Sequence, residues 1–395
     1  MLQLARTISI IYLVIAVLLT GFGLVVATVG SAPLQINPIG PAGQPVEIVI
    51  AYGTEKREWL EEAQRRFEAG APRVHGRPIA VTLEGGGSRE MVIRIVNDNY
   101  QPTVVSPASL IQVELLRDQW QRQNSSNILH SGADAPQPLV LTPLVIVAWE
   151  ERAQALWTNG PDDFWRSLQR VLADDQGWAA AGQPDWGFVN FGHTSPETSN
   201  SGLQFLVLTA YGYHNKARGL VSGNVLDASY QDWVRGIERS VPEFGRSTGL
   251  LMTEMLQFGP SKYDMVAVYE NLAIENFQTA EGRGGPLRVY YPPANIYSEH
   301  PYVILNADWV TPEQREAAAL FRDFLLSEEI QALALAEYGF RPANLQVPID
   351  LNDPNNPFNR YADHGIRFDL SQQVEVPQAE VLEILIEFWR REIRP

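Results

Sequence analysis

The sequence predicts an α/β protein of two domains, the first built on a largely parallel sheet, and three observations carry this. Short β-branched runs alternate with segments of helical spacing, and the turns that lead from strand to helix carry Gly, Ser or Thr. The chain, at 395 residues, is long enough to fill two cores. An apolar content of 45% with ten Trp argues for a globular body over a disordered one.

In the first domain, VEIVIA at 46–51 reads as a strand. Residues 54–69 have helical spacing, with Trp59, Leu60, Ala63 and Phe67 on one side. A second strand at 79–83 runs into Gly85-Gly86-Gly87-Ser88 and a helix over 89–97. Val104-Val105 is a short strand leading into Ser106-Pro107-Ala108-Ser109 and another helix. The second domain opens with the apolar run 139–148, then a helix over 164–173 and an extended aromatic run at 186–191. GHTSPETSNSG at 192–202 precedes a buried helix that begins near Leu203. Helices near 230–240 and 250–258 follow, with a buried strand at 265–269 and strands at 287–291 and 302–305. The helix over 312–326 and the segment to 343 read as a return to the first sheet. After an irregular stretch at 350–359, residues 377–391 form an amphipathic helix. Val381, Leu385 and Phe388 lie on one face and Leu382, Ile386 and Trp389 on the next, and burial against the body is expected.

Several function classes fall away. A net charge of −16 without a basic cluster excludes nucleic acid. The absence of Cys excludes disulfides and thiolate metal sites, and the six His show no zinc spacing. No nucleophile elbow, Walker pattern or dinucleotide fingerprint occurs, and Ser195 lies in Thr-Ser-Pro. The expectation is a non-enzyme without catalytic residues, metal or cofactor. After Arg6, residues 8–29 carry no charge and as a helix would span roughly 33 Å, enough to cross a bilayer. Pro33 is a poor context for cleavage after Ala32, so 1–32 reads as a retained transmembrane helix with its N-terminus in the cytoplasm and the body outside. A cleaved signal and a secreted body is the other reading. Residues 33–45 read as a linker.

The order of GGGS, SPAS, LTPLVIVAW, GHTSPETSNSG, FGPSKYDMVAVYENLAI, RVYYPP, HPYVIL and LLSEEIQALALAEYGFRPAN resembles the bacterial extracellular solute-binding proteins. The class is the type II periplasmic-binding one, and the likeness covers roughly residues 45–345. It is similar in particular to the substrate-binding-like region that precedes a von Willebrand factor A domain in some bacterial proteins. The resemblance implies two α/β lobes joined by crossing strands, outgoing at 142–148 and returning at 289–293, with the ligand in the cleft. Lobe I would be 46–138 and 294–345, lobe II 139–293, and 346–395 a C-terminal extension. The implied role is capture of a small polar or anionic solute outside the cytoplasm for an ABC permease. The rival role is an interaction or sensor module working with a von Willebrand factor A partner encoded elsewhere.

Five hydroxyl side chains crowd GHTSPETSNSG, where capping a helix needs one. In open α/β sheets, ligands sit beyond the carboxyl ends of strands, where helix N-termini favour anions and polar oxygens. Thr198, Ser199, Asn200 and Ser201 therefore read as one wall of the cleft, joined by Thr194, Tyr269 and the Ser247-Thr248 turn. Gly53-Thr54, Gly87-Ser88, Ser106 and Ser109 read as the other. Taken singly, Thr54 and Ser88 are better read as helix caps. Glu270, beside Asn271, is read as pairing with an Arg, the other reading being a buried acid in contact with ligand. Paired, it leaves room for an oxyanion; unpaired, it demands a neutral or amine solute.

Overall fold

A computed structural model describes residues 43–157, 164–370 and 372–393, so the expected transmembrane segment lies outside the described residues. Among the described residues no helix is long and apolar enough to cross a membrane. Residues Gln44–Pro395 form one compact unit.

The strand Val46–Gly53 organises the first sheet. It pairs in parallel with Arg77–Gly86, from Val46 opposite Ile79 to Gly53 opposite Gly86, and with Val104–Ser106, where Ile50 faces Val104. Pro301–Ile304 and then Gln137–Pro138 extend this six-stranded sheet in antiparallel sense. The pleat sends alternate side chains to opposite faces. Ile48 and Ile50 join Trp59, Phe67 and Phe321 in one core, while Ala51 and Val105 join Met91, Leu116 and Val303 in another. The helix Arg57–Ala69 buries the four residues that its spacing singled out.

The second sheet is built on Val140–Trp149. Leu144, Ile146 and Ala148 face one core, and Val145, Val147 and Trp149 the opposite one. Its neighbours Met265–Tyr269, Leu287–Tyr290, Tyr297–Ser298 and Arg341–Pro342 all run antiparallel to it. Only Phe191–Gly192 is parallel to Met265–Tyr269. The largely parallel sheet expected in the first lobe is found at its three central strands alone, with antiparallel strands at both edges, and the second sheet is mostly antiparallel, its spine arriving from the other lobe. The aromatic run at 186–191 is not extended throughout: Gly187 takes φ 72, which breaks the strand, and Trp186 turns under the Arg152 guanidinium, 3.7 Å away.

The chain leaves the first sheet at Pro138 and enters the second at Val140. It returns between Ser298 and Pro301, beyond the 289–293 expected from the sequence, because Tyr297 and Ser298 still pair with Pro143 and Thr142. Arg341–Pro342, paired with Leu141 and Val140, is a further link between the sheets.

The C-terminal helix Ala379–Glu392 packs on the second lobe, burying Val381, Leu382, Leu385, Phe388 and Trp389. The Trp389 indole donates to Glu238 Oε2 at 2.8 Å, and the same oxygen lies 2.9 Å from His193 Nε2. Trp389→Ala is expected to lower the unfolding free energy by about 3–5 kcal/mol, read by urea denaturation. A loss below about 1 kcal/mol would mean that the helix is not part of the core.

Candidate functional site

The carboxyl ends of five strands, three in the first sheet and two in the second, converge on one seam. From the first lobe come Gly53-Thr54 after Val46–Gly53, Gly87-Ser88 after Arg77–Gly86, and Ser106 to Ser109 after Val104–Ser106. From the second come residues 193–201, the Ser247-Thr248 turn and the end of Met265–Tyr269. The lobes touch directly here. Glu90 N donates to the Thr198 carbonyl at 2.9 Å, Gly249 N to Thr54 Oγ1 at 3.1 Å, and Gln112 Nε2 to Asn200 Oδ1 at 3.0 Å. Two glycines permit this approach. A Cβ on Gly87 would collide with the Thr198 and Arg246 carbonyls, and one on Gly249 would lie 2.6 Å from the Thr54 carbonyl oxygen.

Hydroxyls line the second-lobe side as one network. Thr194 Oγ1 and Thr248 Oγ1 each lie 2.7 Å from Ser201 Oγ, and Ser199 Oγ is 3.4 Å from both Ser201 Oγ and Thr248 Oγ1. Ser199 is the N-cap of Asn200–Tyr213 and Ser247 that of Thr248–Phe258, yet neither side chain makes a capping bond. Asn200 Nδ2 donates to the Tyr269 hydroxyl at 3.0 Å. Thr198 Oγ1 donates outward to the Arg246 carbonyl. On the first-lobe side Ser109 does cap its helix, accepting from Ile111 N, and it also donates to Glu299. Thr54 and Ser88 do not act as caps: Thr54 meets Gly249, and Ser88 Oγ accepts from Ala108 N at 3.0 Å. Gly53 leaves room for the Glu55 carboxylate.

At the centre stand residues that the sequence reading missed. Lys56 is 0% exposed, and its Nζ donates to Glu55 Oε1 at 2.8 Å and to the Ser106 carbonyl at 3.1 Å, with His300 Nδ1 3.3 Å away. The His300 ring meets the Tyr269 ring edge-on at 5.8 Å between centroids. Burial alone would raise the Glu55 carboxyl, but Lys56 and His300 outweigh it and bring it down to about 2. Burial lowers His300, and Lys56 adds to this, to about 4. The seam therefore holds an ion pair and a neutral imidazole.

Glu270 is buried against Arg341, which forms an ion pair with it, and accepts from the Tyr291 hydroxyl. The pairing read from the sequence is the arrangement found, made by an Arg on the strand that links the two sheets. Its neighbour Asn271 points the other way, donating to the Glu55 carbonyl at 3.0 Å. Around the seam several buried polar atoms lack any hydrogen-bond partner: Ser106 Oγ, Gln112 Oε1, Gln204 Nε2, Ser247 Oγ, Asn271 Oδ1 and His300 Nε2. Such atoms each cost about 1–3 kcal/mol when left unmet, and both donors and acceptors are among them. Among the described residues, no group of His, Asp and Glu is arranged to hold a metal ion.

These features, strand ends facing across a seam between two sheets joined by crossing strands, define a two-lobed periplasmic-binding-protein fold. The chain matches the bacterial extracellular solute-binding protein model over residues 48–341 and belongs to that family. Among solved structures, a periplasmic thiamin-binding protein is similar at a TM-score of 0.61 and 13% identity, covering 90% of this chain and 98% of that one. The sulfate-binding protein SubI from Mycobacterium tuberculosis H37Rv is similar at 0.55 and 18%, covering 83% and 93%. An uncharacterized protein of Mycobacterium tuberculosis is 22% identical over 299 residues, which are 73% of this chain and 41% of that relative. The chain thus spans less than half the length of the curated relatives it matches.

Two outcomes test this geometry. Gly87→Ala should hold the lobes apart, seen as a larger radius of gyration in small-angle scattering; an unchanged radius would mean that the carbonyls yield. Because His300 is lowered to about 4 in the fold, the unfolded chain takes up its proton first as pH falls below about 6.5. His300 therefore costs stability as pH drops from 7.5 to 5, on the order of 2 kcal/mol. Glu55, ionised in both states over most of that window, contributes little to the change. Wild type should lose more stability than His300→Gln across this interval, and equal losses would show that the imidazole is not held neutral.

Proposed function

We propose that the protein is an extracytoplasmic solute-binding protein that encloses one small polar solute at the interlobe seam and passes it to an ABC-type transporter. The observation that carries this reading is the set of buried, unpartnered donors and acceptors at the seam, contributed by both lobes. A solute bearing its own donors and acceptors would meet them only when the lobes are together, which couples binding to closure. Family membership supports the same reading. The groups proposed to face the solute are Thr54, Ser106, Gln112, Asn200, Ser247, Tyr269 and His300. Ser88 and Ser109 shape the loops beneath them, while Thr194, Ser199, Ser201 and Thr248 hold the second-lobe wall together. Sulfate and thiamin, named for two similar structures, differ in charge and so do not choose the ligand.

Native mass spectrometry of gently purified protein is the test. A small-molecule mass increment that disappears on unfolding is expected, and Ser106→Ala with Ser247→Ala should weaken its retention. No increment, together with an unfolding midpoint that no small polar solute raises, would contradict the reading.

We further propose that residues 8–29 hold the body to the outer face of the membrane. The protein should stay with membranes after a salt wash and keep its N-terminus. N-terminal sequencing that begins at Pro33 or later would overturn the anchor.

A further inference from the structure

Between the helices Ser88–Asn97 and Leu110–Asn124, on the flank of the first lobe, lies a cavity of about 400 Å³. Arg89, Asn97, Gln119, Arg122 and Gln123 line it, and Ile93 and Val96 form its apolar wall. The lining holds two guanidiniums and no carboxylate. Arg89 is 9% exposed and, among the described residues, forms no ion pair. Two carboxylates near it are engaged elsewhere: Glu90 with Arg246 at 2.8 Å, and Glu383, on the C-terminal helix, with Arg122 at 3.2 Å. The acceptor that Arg89 does have is Gln119. With its side-chain oxygen turned to the guanidinium, Gln119 accepts from Nη1 at 3.2 Å and from Nη2 at 2.8 Å. An amide oxygen meets hydrogen bonds but brings no countercharge. Burial pushes the Arg89 guanidinium below its usual range; Glu383 offsets this in part, and Arg122 adds to it. An Arg nevertheless stays charged in a protein, and a buried ion without a countercharge is costly. Lys56, the other buried cation of this lobe, has Glu55 beside it. Arg89 has a cavity.

We propose that this cavity is a second binding site, for a small oxyanion held between Arg89 and Arg122. It goes beyond the solute site, since none of its lining residues is among the groups assigned to the seam. The planar fork of a guanidinium matches two oxygens of a phosphate, sulfate or carboxylate, and such charge-assisted pairs are the strong ones. An oxyanion here supplies Arg89 with the countercharge that the fold withholds. Arg122 is mostly exposed and paired with Glu383, so an anion in the cavity competes with that carboxylate for it. A cation is the poorer match, because both guanidiniums repel it. A carboxylate on a partner protein is the poorer match as well, because Arg89 is buried and is reached only by a group small enough to enter the recess.

The test uses the full chain with inorganic phosphate as probe, against sodium chloride at equal ionic strength, followed by calorimetry and by the unfolding midpoint. Saturable phosphate binding that raises the midpoint is expected, weakened roughly tenfold or more by Arg89→Gln. Arg89→Lys keeps the charge but loses the planar fork, and should recover part of the affinity. Glu383→Gln, at a half-exposed position, frees Arg122 and removes a repelling carboxylate, so binding should tighten by about threefold. Ser106→Ala with Ser247→Ala should leave phosphate binding unchanged, which separates this site from the seam. Failure of phosphate to bind would overturn the proposal, as would binding that neither Arg89→Gln nor Glu383→Gln changes. Binding lost in the serine pair and kept in Arg89→Gln would also overturn it, and would place the anion at the seam. If Arg89→Gln does not fold, Arg89→Lys and Glu383→Gln decide the matter by the same readings.

Discussion

The ammonium of Lys56 lies fully buried where the two sheets meet, and much of the seam is arranged around that fact. A charge taken out of water is tolerable only when it is paired and hydrogen-bonded, since an uncompensated buried ion costs several kcal/mol. Glu55, one residue earlier, supplies the countercharge, the Ser106 carbonyl a second acceptor, and His300 a third contact. Burial, with Lys56 adding to it, keeps the imidazole neutral beside Tyr269. Gly53 is needed at the turn because any larger residue would displace the Glu55 carboxylate. The centre of the seam is thus electrically balanced.

Closure of the lobes adds a steric constraint. Backbone meets backbone at Gly87 and Gly249, so the hydroxyl network of Ser199, Ser201 and Thr248 sits within one residue of the opposite lobe. That network is braced from behind. Thr194 bonds Ser201, the Thr194 carbonyl lies 2.9 Å from His193 Nδ1, and His193 meets Glu238, which also accepts from Trp389. The C-terminal helix is thereby continuous, through buried hydrogen bonds, with one wall of the site.

The fold was legible in the sequence where a local pattern carries it. Trp59, Leu60, Ala63 and Phe67 mark a helix face by spacing alone, and the apolar runs 139–148 and 265–269 can only be buried strands in this context. The antiparallel second sheet was not legible, because strand direction depends on which residues pair across more than a hundred positions, as Leu144 does with Tyr269. In the site, the hydroxyls of residues 198–201 stood out because they exceed what a helix cap uses. Glu55 and Lys56 did not, since GTEKREWLEE reads as a solvated first turn and its burial is decided by the other lobe. Gln112 and His300 gave no signal, for each lies in an ordinary helix or loop and reaches the seam only through the fold. The partner of Glu270 was equally hidden, being an Arg 71 residues away in sequence.

Closure around a solute at the seam is the claim on which this account turns, and an interlobe distance reads it directly. The chain has no Cys, so spin labels placed by Gln123→Cys on the first lobe and Ser229→Cys on the second, both at exposed positions, would be the only ones present. Double electron–electron resonance should give one narrow distance for protein as purified. After unfolding, dialysis and refolding to strip bound solute, the distribution should become longer and broader. The same narrow distance before and after stripping would contradict the account, because lobes that stay shut without a solute cannot take one in.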